Sequence, residues 1–331
     1  MLRKVNYSID PYLNDQREIS LQQKKSPDKS RAVWLHISGS VFLGALTPSI
    51  TIALAAQGFR TGDILFLYSV GTCAGIGIYL ASLIYGKRQI LPPIDLWKAV
   101  VLGVLGYATY YIISMAALTG VPKAGIPLVT MGGALWPLTT CILMARYCEH
   151  RPISYGEWLG LLVATGGVYF SAGNDLHRSG FAEIGPWVML SVLGAITWGI
   201  FSIWGDRWNL HGPKAIFVFT VITAGISGLW VALSGPSIIL KKPGLSTMGL
   251  LSGCLLSSSS ITFYFAAISH RPTGAQLGLF NLSPFISLGF LALLNGVPLH
   301  IENGVGGALV VIGVLIARVW RDPAKSSHLK R

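Results

Sequence analysis

The chain has 331 residues, of which 52% are hydrophobic and only 11% are charged. Because soluble domains contain about 25% charged residues, this composition excludes a soluble globular protein and indicates an integral membrane protein. In a membrane protein, the distribution of Lys and Arg among the loops indicates which loops are cytoplasmic. The net charge of +12 is therefore interpreted in this way, and no nucleic-acid partner is predicted.

The first 31 residues are polar and mixed in charge, which predicts a flexible tail. Ten apolar runs follow, each about long enough to cross a bilayer as a helix. A short basic tail, 321–331, closes the chain. The sequence thus predicts an all-α polytopic membrane protein whose ten transmembrane helices are 32–56, 63–85, 97–118, 124–145, 154–172, 186–205, 215–235, 247–268, 273–296 and 303–320.

Ten spans place both termini on the same side of the membrane. The tails and the connections on that side contain 20 Lys and Arg residues, against 5 on the opposite side. Because cytoplasmic loops carry an excess of Lys and Arg, both termini are predicted to be cytoplasmic. The expected location is a bacterial inner membrane, with the lipid bilayer as a partner.

The fourth and ninth spans each carry a proline near their middle, Pro137 and Pro284. Such a proline frees a backbone carbonyl, which neighbouring helices or a water-lined cavity must satisfy. One offset of 147 residues superposes these prolines and also two glycine pairs, Gly160 on Gly307 and Gly166 on Gly313. The chain is therefore predicted to contain two copies of one five-helix unit, 32–172 and 186–320. Because five is odd, the second copy is inverted, which is typical of transporters with a midplane site.

The interiors of the predicted spans contain no Asp, Glu, Lys or Arg. Buried carboxylates commonly mark proton relays and cation sites, so their absence disfavours tight ion coupling and favours a neutral, zwitterionic or amphiphilic substrate. The chain also lacks paired carboxylates, a nucleophile elbow, a phosphate-binding loop and metal-ligand spacing. An enzyme, a cofactor and a metal site are therefore not predicted, and the sequence does not indicate an oligomeric state.

The candidate substrate-binding residues are aromatic or amide side chains inside the spans. Two of them, Tyr107 and Tyr111, share one face of the third span. Asn281 is the most polar side chain predicted deep in a span, where it contacts either the substrate or a neighbouring helix. For the aromatic residues the alternative is an interfacial belt. The full set is Trp136, Asn281, Tyr107, Tyr111, Trp198 and Tyr264, and the candidate hinge or gate residues are Pro48, Pro137 and Pro284, with structural kinks as the alternative.

These features resemble the drug/metabolite transporter superfamily, and most closely its EamA-type members. Within the superfamily, the stretches 135–137, 194–199 and 212–219 are most similar to the aromatic-amino-acid exporter branch. The resemblance implies export of amino acids or similar amphiphiles through a central cavity, with the two halves rocking around it. An uptake carrier or exchanger of the same superfamily remains an alternative, and so does a membrane assembly partner that transports nothing.

Overall fold

A computed structural model describes residues 27–85, 94–133, 135–147, 152–179, 181–210, 212–269 and 279–319. Several predictions fall outside these residues: most of the N-terminal tail, the C-terminal tail and the beginning of the ninth span at 273. For Asn281 the backbone is described, whereas its side chain lies outside the described part.

Within the described residues the chain is helical and contains no strand. The helices are α1 (Pro27–Ala56), α2 (Thr61–Tyr85), α3 (Leu96–Gly120), α4 (Ile126–Gly133), α5 (Trp136–Tyr147), α6 (Tyr155–Ser179), α7 (Phe181–Arg207), α8 (Pro213–Leu233), α9 (Pro243–Ser252, Gly253–Ser257 and Ser258–Ser269, joined end to end), α10 (Ser283–Asn295) and α11 (Ile301–Val319). Helices α3 and α9 each include one π-helical segment, Gly103–Ala108 and Gly253–Ser257.

Six of these helices are long and apolar enough to cross a membrane: α1, α2, α3, α7, α8 and α9. Two shorter apolar helices, Ser283–Asn295 and Ile301–Ala317, belong to α10 and α11. The prediction of an all-helical, multi-pass membrane protein is confirmed at this level. Ten spans in two inverted repeats go beyond these six helices and stay a prediction.

The fourth predicted span is interrupted next to its proline, and the described helix of the ninth begins next to its own. Helix α4 ends at Gly133 and α5 begins at Trp136, so Pro137 is the second residue of a new helix. Pro284 is likewise the second residue of α10, after a 3₁₀ turn over Leu279–Leu282. Proline suits the first turn of a helix because its missing N–H needs no partner there. Pro48, by contrast, lies inside the continuous helix α1.

The helices pack in a limited set of pairs. Helix α1 packs on α9 and α10, while α7 packs on α3, α4 and α5. Helix α2 lies along α8, and α6 lies along α11. The π-helical segment of α9 packs on α2, and that of α3 packs on α8. These contacts surround a central space that α1, α3, α7 and α9 line together.

The crossing of α6 and α11 depends on four glycines whose backbones touch. A Cβ added at Gly160 would lie 2.4 Å from the carbonyl oxygen of Gly313, and one added at Gly313 would lie 2.5 Å from that of Gly160. Gly167 and Gly306 face each other in the same reciprocal way, at 2.5 Å in both directions. Side chains at these positions would force the helices apart, so glycine is required by the close approach.

Asp63 and Glu157, two carboxylates near the beginnings of helices, are both buried and hydrogen-bonded. Arg60 Nε lies 3.2 Å from Asp63 Oδ2, and the Ser237 hydroxyl donates to Asp63 Oδ1 at 2.7 Å. Glu157 forms a capping box at the start of α6: its Oε2 accepts the Ser154 N–H at 2.7 Å, while the Ser154 hydroxyl accepts the Glu157 N–H at 3.2 Å. Both carboxylates therefore stabilise helix ends.

Candidate functional site

A cavity of about 240 Å³ lies in the middle of the bundle. It is formed by α1, α3, α7 and α9, together with the beginnings of α5 and α10. Its lining comprises Ser40, Val41, Gly44, Thr47, Pro48, Thr51, Tyr110, Tyr111, Ser114, Met115, Leu118, Trp136, Trp198, Ser257, Ser260, Ile261, Tyr264, Phe280 and Ser283. These described residues make the lining aromatic, apolar and hydroxyl-bearing, and none of them is charged.

Helix α1 supplies one wall of this cavity through a single face. Ser40, Gly44, Pro48 and Thr51 follow one another at steps of four, four and three residues, which aligns them along a helix. Pro48 has no N–H to donate to the carbonyl of Gly44 one turn earlier, so that carbonyl is left for another donor. The Ser260 hydroxyl donates to the carbonyl of Ser40 at 2.9 Å and ties α9 to this wall.

Four aromatic rings from four different elements meet at one end of the cavity. The ring centroid of Trp136 lies 6.3 Å from that of Trp198, 5.9 Å from that of Tyr264 and 6.0 Å from that of Phe280. The Tyr264 ring lies 5.6 Å from Trp198 and 5.3 Å from Phe280. Most of these pairs are edge-to-face, an arrangement that aromatic rings favour. The cluster therefore offers apolar ring surface to an amphiphilic ligand.

The two candidate tyrosines of α3 have different surroundings. Tyr111 lines the cavity, as does its neighbour Tyr110, whose ring lies 4.5 Å from that of Trp198. Tyr107 is buried, stacks on Phe219 with ring centroids 5.8 Å apart, and is absent from the lining. The shared helical face predicted for Tyr107 and Tyr111 is present, because their rings lie 4.7 Å apart. That face extends from the cavity into the packed interior, so Tyr111 reaches the space and Tyr107 does not.

The three candidate hinge prolines occupy different positions around the site. Pro48 lines the central cavity, and Pro284 lines an adjoining cavity of about 190 Å³. The two cavities share lining residues, including Pro48, Tyr110 and Trp136, so they are contiguous. Pro137 is buried and lines neither cavity.

Sequence reasoning missed two kinds of lining residue. Phe280 precedes Pro284 by one helical turn, and this spacing was an available signal. Apart from Pro48, which was a candidate gate residue, the α1 face carried no such signal, since small residues there are equally typical of close helix packing. The serine run at 257–260 predicts at least one inward hydroxyl, and both Ser257 and Ser260 line the cavity.

Buried polar groups near the cavity determine which hydrogen bonds the site offers to a ligand. The indole N–H of Trp198 is buried and has no hydrogen-bond partner in the described part of the chain. A buried donor of this kind is costly unless something accepts its proton. Among the described residues, no group of three His, Cys, Asp or Glu side chains is arranged to hold a metal ion. The site thus combines aromatic surface, hydroxyl groups and the unsatisfied indole N–H of Trp198.

No protein-family model matches this sequence. The aromatic amino acid exporter YddG of Ancylobacter novellus is 26% identical over 172 residues, which is 52% of this chain and 57% of the exporter. The match thus spans little more than half the length of that relative. The uncharacterized transporter YyaM of Bacillus subtilis is 21% identical over 283 residues, 84% of this chain and 90% of that protein.

A crystal structure of a protein whose description states no function superposes with a TM-score of 0.60 at 20% identity. The superposition covers 91% of this chain and 99% of that one. At this identity the likeness shows the fold alone. The chain is therefore a multi-pass helical membrane protein that is similar in sequence to named transporters.

Proposed function

We propose that this chain is a secondary transporter that exports small amphiphilic metabolites, with aromatic amino acids favoured, by alternating access around the central cavity. The observation that carries the proposal is the cavity itself: an uncharged space lined by aromatic rings and hydroxyl groups from both halves of the chain. Aromatic faces stabilise a planar apolar side chain by packing against it. Hydroxyl groups and the carbonyl freed by proline offer hydrogen bonds to the amino and carboxylate groups of a zwitterion without contributing a charge.

The packing pattern supports ten spans in two inverted repeats. If α4 and α5 together form the fourth span, the two halves correspond as α1 to α7, α2 to α8, α3 to α9, α4–α5 to α10 and α6 to α11. Each packing pair then has a counterpart, because α1 on α9 corresponds to α7 on α3, and α1 on α10 corresponds to α7 on α4 and α5. The pairs α2–α8 and α6–α11 correspond to themselves, as a two-fold relation requires. The paired π-helical segments of α3 and α9 fit the same relation.

The glycine contacts refine the repeat alignment near its end. Gly160 touches Gly313 and Gly167 touches Gly306, so a two-fold relation makes Gly160 equivalent to Gly306 and Gly167 equivalent to Gly313. That offset is 146 residues, one less than the offset that superposes the two prolines. The second copy therefore has one residue fewer between its proline in α10 and its glycines in α11 than the first copy has between α5 and α6.

The relatives support the same interpretation, because one is an aromatic amino acid exporter by name and the other a transporter. We infer that the chain belongs to the EamA-type branch of the drug/metabolite transporter superfamily. The excess of Lys and Arg on the terminal side supports cytoplasmic termini in a bacterial inner membrane.

In the proposed mechanism the substrate ring packs against Trp136, Trp198 and Tyr264. The buried indole N–H of Trp198 is a candidate donor to the substrate carboxylate, since it has no partner among the described residues. Tyr111 and Asn281 are proposed to contact the substrate as well. Tyr107 packs against the ring of Tyr111 and holds it in position.

Movement of the two halves is proposed to use the helix breaks. At Pro137 the backbone leaves α4 and starts α5, and at Pro284 it passes from a 3₁₀ turn into α10, so these points are proposed to have fewer α-helical hydrogen bonds to lose when the halves rotate. Pro48 kinks the α1 wall without interrupting it.

Flux in proteoliposomes tests the proposal. The purified protein is reconstituted, and uptake of labelled aromatic and aliphatic amino acids is measured with and without a pH gradient. We expect saturable flux that needs no gradient and that falls at least tenfold in Trp136→Ala, since a central aromatic contact is typically worth more than about 1.4 kcal/mol.

The matched control is Trp158→Ala, because Trp158 is 50% exposed on α6, away from the cavity. Equal loss in both variants would point to general damage and contradict the assignment of Trp136. Absence of flux for every amino acid in wild-type protein would refute amino-acid transport. Counterflow of a labelled solute separates an exchanger from a uniporter.

A further inference from the structure

The adjoining cavity of about 190 Å³ extends the central cavity to one side. It is lined by residues of α1, α3, α4, α7 and α10 and by the first residue of α5, and none of its described lining residues is charged. Tyr110 and Trp136 line both spaces, so the two cavities meet at these rings. A molecule in the central cavity therefore has a second space beside it.

The sizes of the two cavities indicate one ligand that reaches into both. Sites for small organic molecules commonly have volumes of about 300–1,000 Å³. The central cavity, at about 240 Å³, lies below that range, and so does the adjoining cavity, at about 190 Å³. The two together fall within it. The adjoining cavity is the smaller one, so it suits the smaller part of such a ligand.

The adjoining cavity offers a hydroxyl donor at Ser287 of α10. This residue is only 3% exposed, and its hydroxyl has no hydrogen-bond partner in the described part of the chain. Two other hydroxyls of the lining already donate their protons. Ser191 donates to the Val129 carbonyl at 2.6 Å, and Thr130 donates to the Ile126 carbonyl at 2.9 Å. Because a buried hydroxyl without a partner is costly, a ligand oxygen that accepts from Ser287 gains from binding here.

The place of Ser287 in its helix favours the same kind of ligand group. It follows Ser283, the first residue of α10, by one helical turn, and both line the adjoining cavity. The beginning of a helix carries the positive end of the helix dipole, which attracts carboxylate and carbonyl oxygens. The hydroxyl and the helix start therefore both select an oxygen acceptor.

We propose that the adjoining cavity is a second subsite, which takes the C-terminal residue of a dipeptide whose N-terminal residue is aromatic. This inference rests on the proposed function, because the aromatic residue of the dipeptide occupies the central cavity. A dipeptide of this kind is a zwitterion without net charge, which suits a lining without charged side chains.

The dipeptide uses the same contacts as a free aromatic amino acid and adds one. Its ring packs against Trp136, and its peptide carbonyl takes the place of the amino-acid carboxylate as acceptor for the Trp198 N–H. The second residue is a small one, as the size of the adjoining cavity requires. Its terminal carboxylate accepts the hydrogen bond of Ser287.

Binding of two probes to the full-length protein in detergent tests the subsite. The probes are phenylalanine and phenylalanyl-alanine, titrated by calorimetry, and we expect wild-type protein to bind the dipeptide at least as tightly as the amino acid. Ser287→Leu fills the adjoining cavity, because Ser287 lines that cavity and not the central one. It should weaken dipeptide binding by roughly tenfold or more and phenylalanine binding by less than about twofold. Ser287→Ala, which only removes the hydroxyl, should weaken dipeptide binding alone, by about threefold.

The matched control is Ser252→Ala. Ser252 is buried, donates to the Met248 carbonyl at 2.7 Å and lines neither cavity, so both probes should bind this variant as they bind wild type. Phenylalanine binding without dipeptide binding would overturn the subsite and leave the proposed function standing, with the adjoining cavity as a passage.

The remaining outcomes are equally decisive. If Ser287→Leu weakens both probes equally, the subsite is overturned, because the effect is then not confined to the second residue. If Ser287→Leu does not fold, Ser287→Ala decides, and unchanged dipeptide binding in that variant contradicts the proposal. Dipeptide binding without phenylalanine binding supports the subsite and refutes free aromatic amino acids as substrates. Binding of neither probe refutes both.

Discussion

Substituting Gly167 by alanine tests whether the α6–α11 crossing depends on backbone contact. A Cβ at this position would lie 2.5 Å from the carbonyl oxygen of Gly306 and 2.8 Å from the Cβ of Leu309. Ordinary van der Waals contact begins at 3.4 Å, so the helices must separate locally by about 0.9 Å. Both obstructing groups are fixed to the helix backbone, so no side-chain rotation relieves the overlap.

Inserting one methyl group into a packed interface typically costs about 1–3 kcal/mol, and the rigid neighbours place this case near the upper end. The unfolding entropy grows with length, by about 2.1 cal/mol/K per residue, so for this chain of 331 residues each kcal/mol lowers the melting midpoint by about 1.4 °C. We therefore expect Gly167→Ala to lower the midpoint by roughly 4 °C, measured by intrinsic fluorescence in detergent.

The adjacent glycine provides the control. Gly166 is on the same helix, and a Cβ added there would have nothing within 4 Å, so Gly166→Ala introduces the same methyl group in open space. Alanine also has the higher helix propensity, so the Gly166→Ala midpoint is expected not to fall. Equal midpoints for the two variants would refute the argument that backbone contact at Gly167 holds the crossing together.

Three further predictions concern polar contacts at helix ends. Arg60→Ala leaves the buried carboxylate of Asp63 without its ion-pair partner and should lower the free energy of unfolding by about 2 kcal/mol. This loss is smaller than for a fully buried pair because the Arg60 side chain is 40% exposed. As the control, Lys98→Ala breaks an exposed pair and should leave the melting midpoint unchanged. Asn303→Ala removes the two hydrogen bonds that its amide nitrogen donates to Ser171 of α6, each 3.1 Å long, and the one that its Oδ1 accepts from the His300 N–H at 2.8 Å. It should lower the free energy of unfolding by about 1–3 kcal/mol, measured in the same melting assay. Glu157→Gln retains an acceptor for the capping box, so the pH profile of flux should stay as in wild type; a shifted profile would instead make Glu157 a titrating group in transport.

Much of the architecture was predictable because membrane helices follow from composition. Apolar runs interrupted by Gly, Pro and Asn mark where the chain enters and leaves the bilayer, since each backbone polar group inside must be paired within its helix. The prolines were predicted less accurately. The sequence predicts bends at Pro137 and Pro284, whereas the structure has helix starts there, because a proline within the first turn loses no hydrogen bond.

The candidate site was predictable in part. Trp136, Trp198, Tyr111 and Tyr264 line the cavity, because large aromatic residues in mid-span need either packed partners or a space to face. Tyr107 lies one helical turn from Tyr111 and yet faces the packed interior. Helical periodicity places two residues on one face, but it does not say how far along that face a cavity extends.

By itself, the sequence determined the all-helical membrane architecture and the uncharged character of the interior, since both depend on which residue types occur in each run. The tertiary structure decided which hydroxyls share a cavity and which glycines touch. Ser191 and Ser287 belong to different helices and are 96 positions apart, and they line one cavity only because α4 packs on both α7 and α10. Contacts between helices depend on their rotation and register, which are fixed by the packing of all the helices together and not by any single run of residues.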